Sequence, residues 1–468
     1  MWWMLSSGSF QISSVSLDGR TSYFGAELIS VLHGKWGVDP KYLAGWAGEC
    51  FKYNHQCMGY FGIFPSLVRA PQYFLFGINL QHSTSFYFLL ADALFLLFAI
   101  RLYSKLCELI RVPNVSQFYF GLVLTLSPLL FLQARGYMYE EAILWGITWV
   151  IATFVFLLDY LIKKKQLYAV CALITTNFAL NSRIVEGILC MSACGLVFLY
   201  SEFFESESLK DHSIISSAKS IRRVSKKFIA NVLWLSLTLL SYCYINFLKF
   251  GSIFPSLSNS VGLLKNRSRY DFYLACHEIN LTRVPGSLAN YLFPNFRNWP
   301  LGFAYVPNDY HFSLLGRIMF SNSCLEPAEF YSSFTVTYPF TSIVALLGIY
   351  FIYKNRKSEW FARSILLICS CAISVFALSS FIGASERYVS EFFPLFLLLF
   401  FFGLVQFRKI ESIYLKTLIQ ATLVLQAFTS YLVVIIFYVC MPDHPMPLNN
   451  MPLFDFFTHH LVHYVIPF

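Results

Sequence analysis

Apolar residues fall along this chain in long blocks separated by short clusters of Lys, Arg, Pro and Gly. Ten blocks approach or exceed the length that crosses the roughly 30 Å hydrocarbon core of a bilayer as a helix. They are 84–104, 116–133, 140–161, 167–181, 184–202, 228–248, 335–353, 363–382, 391–406 and 417–440. Segments 167–181 and 184–202 are short and nearly continuous, so the pattern predicts a helical hairpin turning at Asn181, Ser182 and Arg183. Outside the blocks, Thr21 to Lys35 places Phe24, Leu28, Ile29 and Leu32 on one helical stripe. That is the pattern of an amphipathic helix lying in the headgroup layer with its apolar face down.

Composition narrows the class. Of 468 residues, 57% are hydrophobic and 13% charged, against about 45–50% and 25% in soluble domains. So few charges cannot coat a globule of this size, which excludes a soluble enzyme, a disordered chain, a collagen and a disulfide miniprotein. The reading is an all-α, polytopic transmembrane helical bundle with amphipathic interfacial helices in its outer loops. It divides into an outer-face loop (1–83), an N-terminal helical bundle (84–248), a large outer-face loop (249–334), a C-terminal helical bundle (335–440) and an outer-face tail (441–468).

Orientation follows from Lys and Arg, which cytoplasmic loops retain. Five linkers hold 19 of the 34 basic residues: Arg101 to Arg111, Lys163 to Lys165, Lys210 to Lys227, Lys354 to Arg363 and Arg408 to Lys416. They alternate without exception with the other loops. This puts 1–83, 134–139, 181–183, 249–334, 384–390 and the tail on the extracytoplasmic face of a cell membrane, or of the endoplasmic reticulum in a eukaryote. The net charge of +9 is therefore largely a topology signal, and nucleic acid is not an expected partner. Ten spans with both ends outside would need an N-terminus translocated with no span before it, and residues 1–16 are too short and Ser-rich to cross. The expectation is a missing first helix, with about eleven spans in the native chain.

Most of the twelve Cys lie inside apolar blocks, where a thiol is an ordinary small apolar group. Cys50, Cys57, Cys276 and Cys324 fall in outer loops, and the near pair Cys50 and Cys57 is the candidate disulfide. No CxxC or His/Cys spacing suggests zinc.

The span centres are almost bare of charge, Asp92 being the clearest exception. Such a residue is a functional candidate wherever it occurs, yet paired broken repeats of the kind transporters use are not evident. The polar chemistry sits in the outer loops instead. Asp18, before Gly19, reads as a turn residue or N-cap, or as an acidic catalytic group. Glu140 and Glu141 at a helix start either favour the helix dipole or serve as base and metal ligand. Arg183 pairs with Glu186 one turn on, or grips a phosphate with Lys249, Arg267, Arg269 and Arg387. His277 is a general acid–base candidate, although a lone loop His is more often merely exposed. Asn266 and Asn280 head glycosylation sequons.

Four segments resemble polytopic glycosyltransferases of the GT-C superfamily, particularly bacterial-type members. They are Asp18-Gly19-Arg20 with Tyr60 to Pro65; Tyr139-Glu140-Glu141-Ala142-Ile143-Leu144-Trp145-Gly146; Asn246 to Ser252; and Arg387-Tyr388 before Glu391 and Pro394. The resemblance implies an acidic catalytic residue in the first outer loop, carried here by Asp18. Glu141 matches a second acidic position, with Glu140 standing where the related run has His. It also implies a polyprenyl-phosphate sugar donor in the bilayer, and a glycan, lipid or protein acceptor. Arg183, Arg387 and Lys249 would hold the donor phosphate, and Glu141 a divalent cation (Mg or Mn) if one is used. Two other classes compete: a lipid-substrate flippase or transporter depending on Asp92, and a non-catalytic membrane scaffold.

Overall fold

The apolar blocks all become helix, and the breaks between them fall where backbone chemistry requires. The computed structural model describes residues 23–38, 51–53, 56–76, 84–112, 116–135, 138–204, 225–253, 267–293, 303–304, 326–327, 331–381, 383–384 and 386–440. The outer-loop helices α1 (Tyr23–Leu32), α2 (Phe64–Leu67) and α3 (Ala70–Phe76) come first, with a small antiparallel hairpin of β1 (Phe51–Tyr53) and β2 (Gln56–Met58) between α1 and α2. The bundle follows as α4 (Thr84–Ile110), α5 (Gln117–Thr125), α6 (Leu129–Arg135), α7 (Met138–Lys163), α8 (Gln166–Leu180), α9 (Ile184–Phe203) and α10 (Lys226–Phe250). After two loop helices, α11 (Arg267–Cys276) and α12 (Val284–Leu292), it resumes with α13 (Phe334–Thr337), α14 (Pro339–Lys354), α15 (Glu359–Ser379), α16 (Glu386–Val389), α17 (Phe393–Arg408) and α18 (Ile413–Cys440).

Among the described residues, seven helices are long and apolar enough to cross a membrane. Predicted spans 116–133, 167–181 and 335–353 form shorter apolar helices. Helix α7 is the hub. Of its most apolar window 94% is buried, against 17% for α10, so α7 is surrounded by protein while α10 turns most of its surface outward. Against α7 pack α4, α8 and α9. Helices α14 and α17 form the tightest pair. A Cβ on Gly348 would lie 1.9 Å from the Leu399 carbonyl oxygen, and one on Gly403 1.8 Å from that of Val344. Only two hydrogens in place of side chains allow that approach.

Two predicted spans depart from a single helix: 335–353 breaks at Tyr338, before Pro339, and 116–133 breaks at a second proline. Pro128 has no N–H to give and its ring clashes with the preceding turn, so 116–133 breaks into α5 and α6. Carbonyls freed by a break inside an apolar bundle need protein donors. Gln426 of α18 supplies one, donating from Nε2 to the Leu126 carbonyl at 3.1 Å, while its Oε1 accepts from the Thr341 N–H at 2.9 Å and hydroxyl at 3.1 Å. Ser390 Oγ donates to the Pro128 carbonyl at 3.4 Å. Gln426→Leu should therefore destabilise the protein by roughly 1–3 kcal/mol, the cost of stranding buried polar groups. Thermal unfolding in detergent checks this, and an unchanged midpoint would show the amide to be dispensable.

Loops read as sharing a face meet one another. At one end Asp159 of α7 takes Arg101 at 3.1 Å, Lys105 at 3.1 Å and Lys163 at 2.9 Å, joining the first two basic linkers. At the other end the Phe64 N–H donates to the Asn181 carbonyl at 2.7 Å, joining the first outer loop to the hairpin turn. Gly62 makes that contact possible, because a Cβ there would fall 2.0 Å from the same carbonyl oxygen.

The helix expected to lie in the headgroup layer does not do so along its whole length. In α1, Tyr23 to Leu28 are buried, with Tyr23, Phe24 and Ala26 packed around Phe61, Met138, Tyr139 and Ala142, while Leu32 is exposed. The reason is Glu27, which lies on that buried segment and draws it into the protein through the ion pair described below. The most exposed apolar side chains among the described residues of 1–83 are on α3, at Phe74, Leu75 and Phe76. Cys57, which β2 carries, is disulfide-bonded, as is Cys276; Cys50 lies outside the described residues.

Candidate functional site

Charged side chains from helix ends and the segments that join them converge at one end of the bundle, and each is fixed by a different element. The C-terminal turn of α10 carries Lys249, and Gly251 ends that helix in the left-handed conformation at φ +66°. Lys249 Nζ donates to Glu27 Oε1 at 2.7 Å and to the Phe61 carbonyl at 2.8 Å. Glu27 also accepts from the Tyr23 hydroxyl at 3.0 Å and from Ser66 Oγ. Burial, and then the Glu27 charge, push the Tyr23 phenol well above its usual pKa. Both partners of the ion pair are buried, so Lys249 is an internal anchor for α1 and not an accessible phosphate grip.

Glu141 is committed in the same way. Arg69, which follows α2, donates from Nη1 to Oε1 at 2.7 Å and from Nη2 to Oε2 at 2.8 Å, with the pair fully buried. Trp145 Nε1 donates to the same carboxylate at 3.3 Å. The guanidinium stacks on the Tyr87 ring, 4.3 Å from its centroid, and donates to the Pro65 carbonyl. A divalent cation does not fit at Glu141, because the space in front of both oxygens holds a guanidinium whose charge would repel it. Among the described residues no group of three or more His, Cys, Asp or Glu stands in metal-ligand proximity. Arg69 was not singled out from the sequence; the only signal was an Arg within an otherwise apolar outer-loop turn.

The third group is built from α7, the α8–α9 turn and α16. Arg183, the N-cap of α9, keeps its pair with Glu186 but binds Glu391 more closely. It donates from Nε to Glu391 at 2.7 Å and lies 2.6 Å from that carboxylate through Nη2, whereas Glu186 stays 3.9 Å away. Burial works against the Arg183 charge, but the carboxylates of Glu391 and Glu186 outweigh it and raise the guanidinium's pKa. Arg387 sits over the Tyr139 ring at 4.2 Å and the Tyr388 ring at 5.5 Å, and Arg183 lies 5.3 Å from the Tyr388 ring. Glu140 is fully buried at the head of α7. Glu186 is buried against Gly146, where a Cβ would meet its carboxyl carbon at 3.0 Å, and neither of its oxygens accepts a hydrogen bond.

Of the sequence-predicted residues, this layer brings together Arg183, Arg387 and Glu140, and adds Glu186 and Glu391. Tyr60 and Phe61 stack, and Tyr139 meets the Phe61 ring edge-on, which links the layer to the Glu27 and Lys249 pair. Asp18 and Cys50 lie outside the described residues, as do the side chains of Arg267 and Arg269. His277 is exposed and away from the layer, its carbonyl accepting from Arg283 at 3.1 Å. Asp92 is buried and accepts from Gln133 Nε2 at 2.6 Å.

Two guanidiniums held by aromatic rings can bind an anion, and the buried carboxylates beside them can accept a proton. Comparison of the chain with protein-family models, curated proteins and solved structures returns no match.

Proposed function

We propose that this chain is a membrane glycosyltransferase moving a sugar from a polyprenyl-phosphate-linked donor to an acceptor on the extracytoplasmic face. The observation that carries the reading is the gathering of Arg183, Arg387, Glu140, Glu186 and Glu391 from three separate outer segments at one end of an apolar bundle. A lipid phosphate anchored in the bilayer would meet cations there. The sequence resemblance supports the same reading, as do the seven long apolar helices, which would enclose a polyprenyl tail.

The step is a displacement at the anomeric carbon. A carboxylate, Asp18 in this proposal, takes the proton of the acceptor hydroxyl as its oxygen bonds to that carbon. The bond from carbon to phosphate oxygen breaks, and polyprenyl phosphate leaves with the electron pair. Arg387 balances the charge that grows on the departing phosphate, while Arg183, paired with Glu391, fixes the layer around it. Glu141 and Lys249 act at one remove by fixing the first loop against α7 and α10. No step requires a metal.

Radiolabelled sugar transfer from a lipid-linked donor in purified membranes tests this. Native chain should form a new glycosidic bond, and Asp18→Asn should abolish it while leaving the amount of inserted protein unchanged. Full activity in that variant would remove Asp18 from the scheme, and lipid movement without bond formation would favour a flippase. One observation supports that second reading: Asp92 Oδ2 is buried in α4 with no hydrogen-bond partner.

A further inference from the structure

The opposite end of the bundle, where the Lys- and Arg-rich linkers lie, holds a cavity of about 200 Å³ between the α7–α8 turn, the end of α9 and the start of α10. It has room for a group of several heavy atoms beyond a single water. Lys164 and Lys227 stand at its rim, Tyr160 and Phe228 wall it, and Gln166 and Glu202 line it. The polar groups are unevenly satisfied. Glu202 is occupied by the Ser225 N–H at 2.7 Å and hydroxyl at 2.6 Å, which caps α10. Gln166 donates from Nε2 to Asn231, while its Oε1 is buried and accepts nothing. Among the described residues, Lys227 takes part in no ion pair.

We propose that this cavity binds the headgroup of a membrane phospholipid, with the phosphate on Lys164 and Lys227 and a headgroup N–H or O–H donated to Gln166 Oε1. Two ammonium groups at the rim suit a phosphate, and basic pockets between spanning helices on this side of a membrane hold anionic headgroup oxygens. The orphaned acceptor asks for a donor that a bare phosphate diester lacks. A lipid source is favoured over free phosphate by what adjoins the pocket. Ile229, Val232 and Leu233, in the next turns of α10, are exposed, an apolar strip against which acyl chains would lie. The proposal is independent of sugar transfer at the other end.

The test uses the full chain in detergent, with lipid binding read by native mass spectrometry and thermal shift. The probes are short-chain phosphatidylethanolamine, phosphatidylglycerol, phosphatidylcholine and inorganic phosphate. Ethanolamine and glycerol lipids should bind and raise the midpoint, with the choline lipid weaker by about tenfold for want of a donor. Lys227→Glu, at an exposed position, should weaken both by about tenfold or more without moving the lipid-free midpoint. Gln166→Leu should erase the preference over choline. Equal binding of all three lipids, or binding unaffected by Lys227→Glu, would overturn the site. Inorganic phosphate stabilising as well as the lipids would overturn the lipid source.

Discussion

Replacing Arg69 with Ala should cost roughly 3–5 kcal/mol and leave little folded protein in the membrane fraction, because it strands a buried carboxylate. Glu141 has no exposure and would keep only the 3.3 Å bond from Trp145. The same change removes the stack on Tyr87 and the donation to Pro65, so the turn after α2 loses its hold on α7. Arg69→Lys should recover only part of the loss, since an ammonium cannot match two carboxylate oxygens at once or stack on a ring. Arg69→Met with Glu141→Leu should recover most of it, an apolar pair of similar volume often being as stable as the ions it replaces. Thermal unfolding of the four proteins in detergent separates these outcomes. An Arg69→Ala variant as stable as the native chain would contradict the anchoring role.

Loss of Arg387 should act differently. Arg387→Ala is expected to lower sugar transfer by roughly 100- to 1,000-fold, the scale of removing one group that stabilises developing charge in a dry site. The guanidinium is held by the rings of Tyr139 and Tyr388, on α7 and α16. Arg387→Lys should restore little, because the rings position a flat cation better than a compact one. The discriminating comparison is with Tyr139→Phe, which keeps the ring and should keep most of the rate. Steady-state transfer at saturating donor measures this, and near-native turnover in Arg387→Ala would take the residue out of the reaction.

The helices were legible because their signal is local: an apolar run long enough to cross a bilayer announces itself whatever it packs against. The alternation of basic linkers is equally local; the first two of them meet at Asp159, and the segment with Phe64 meets the turn at Asn181. The partners of the charged groups were not legible. Lys249 finds Glu27 across 222 residues and Arg183 finds Glu391 across 208, more closely than it holds Glu186 three residues away. Helix rotation and tilt decide such pairs, and no short-range pattern encodes them. Reading residues by type therefore gave Glu141 and Lys249 chemical roles, where burial and complete pairing make them braces. Glu186, read as half of a local salt bridge, keeps that pair only at 3.9 Å and accepts no hydrogen bond. The break at Pro128 was visible in principle, but its repair by Gln426, 300 residues on, was not.

The most direct measurement is photo-crosslinking with a polyprenyl-phosphate sugar that bears a diazirine on the isoprene unit nearest the phosphate. Labelled peptides should contain Tyr139 and Glu140, Arg183 to Glu186, and Arg387 to Glu391, and unlabelled polyprenyl phosphate should compete the labelling away. Labelling confined to the middle of α4 around Asp92, or to the basic end around Tyr160 and Phe228, would contradict a phosphate site in the outer charged layer.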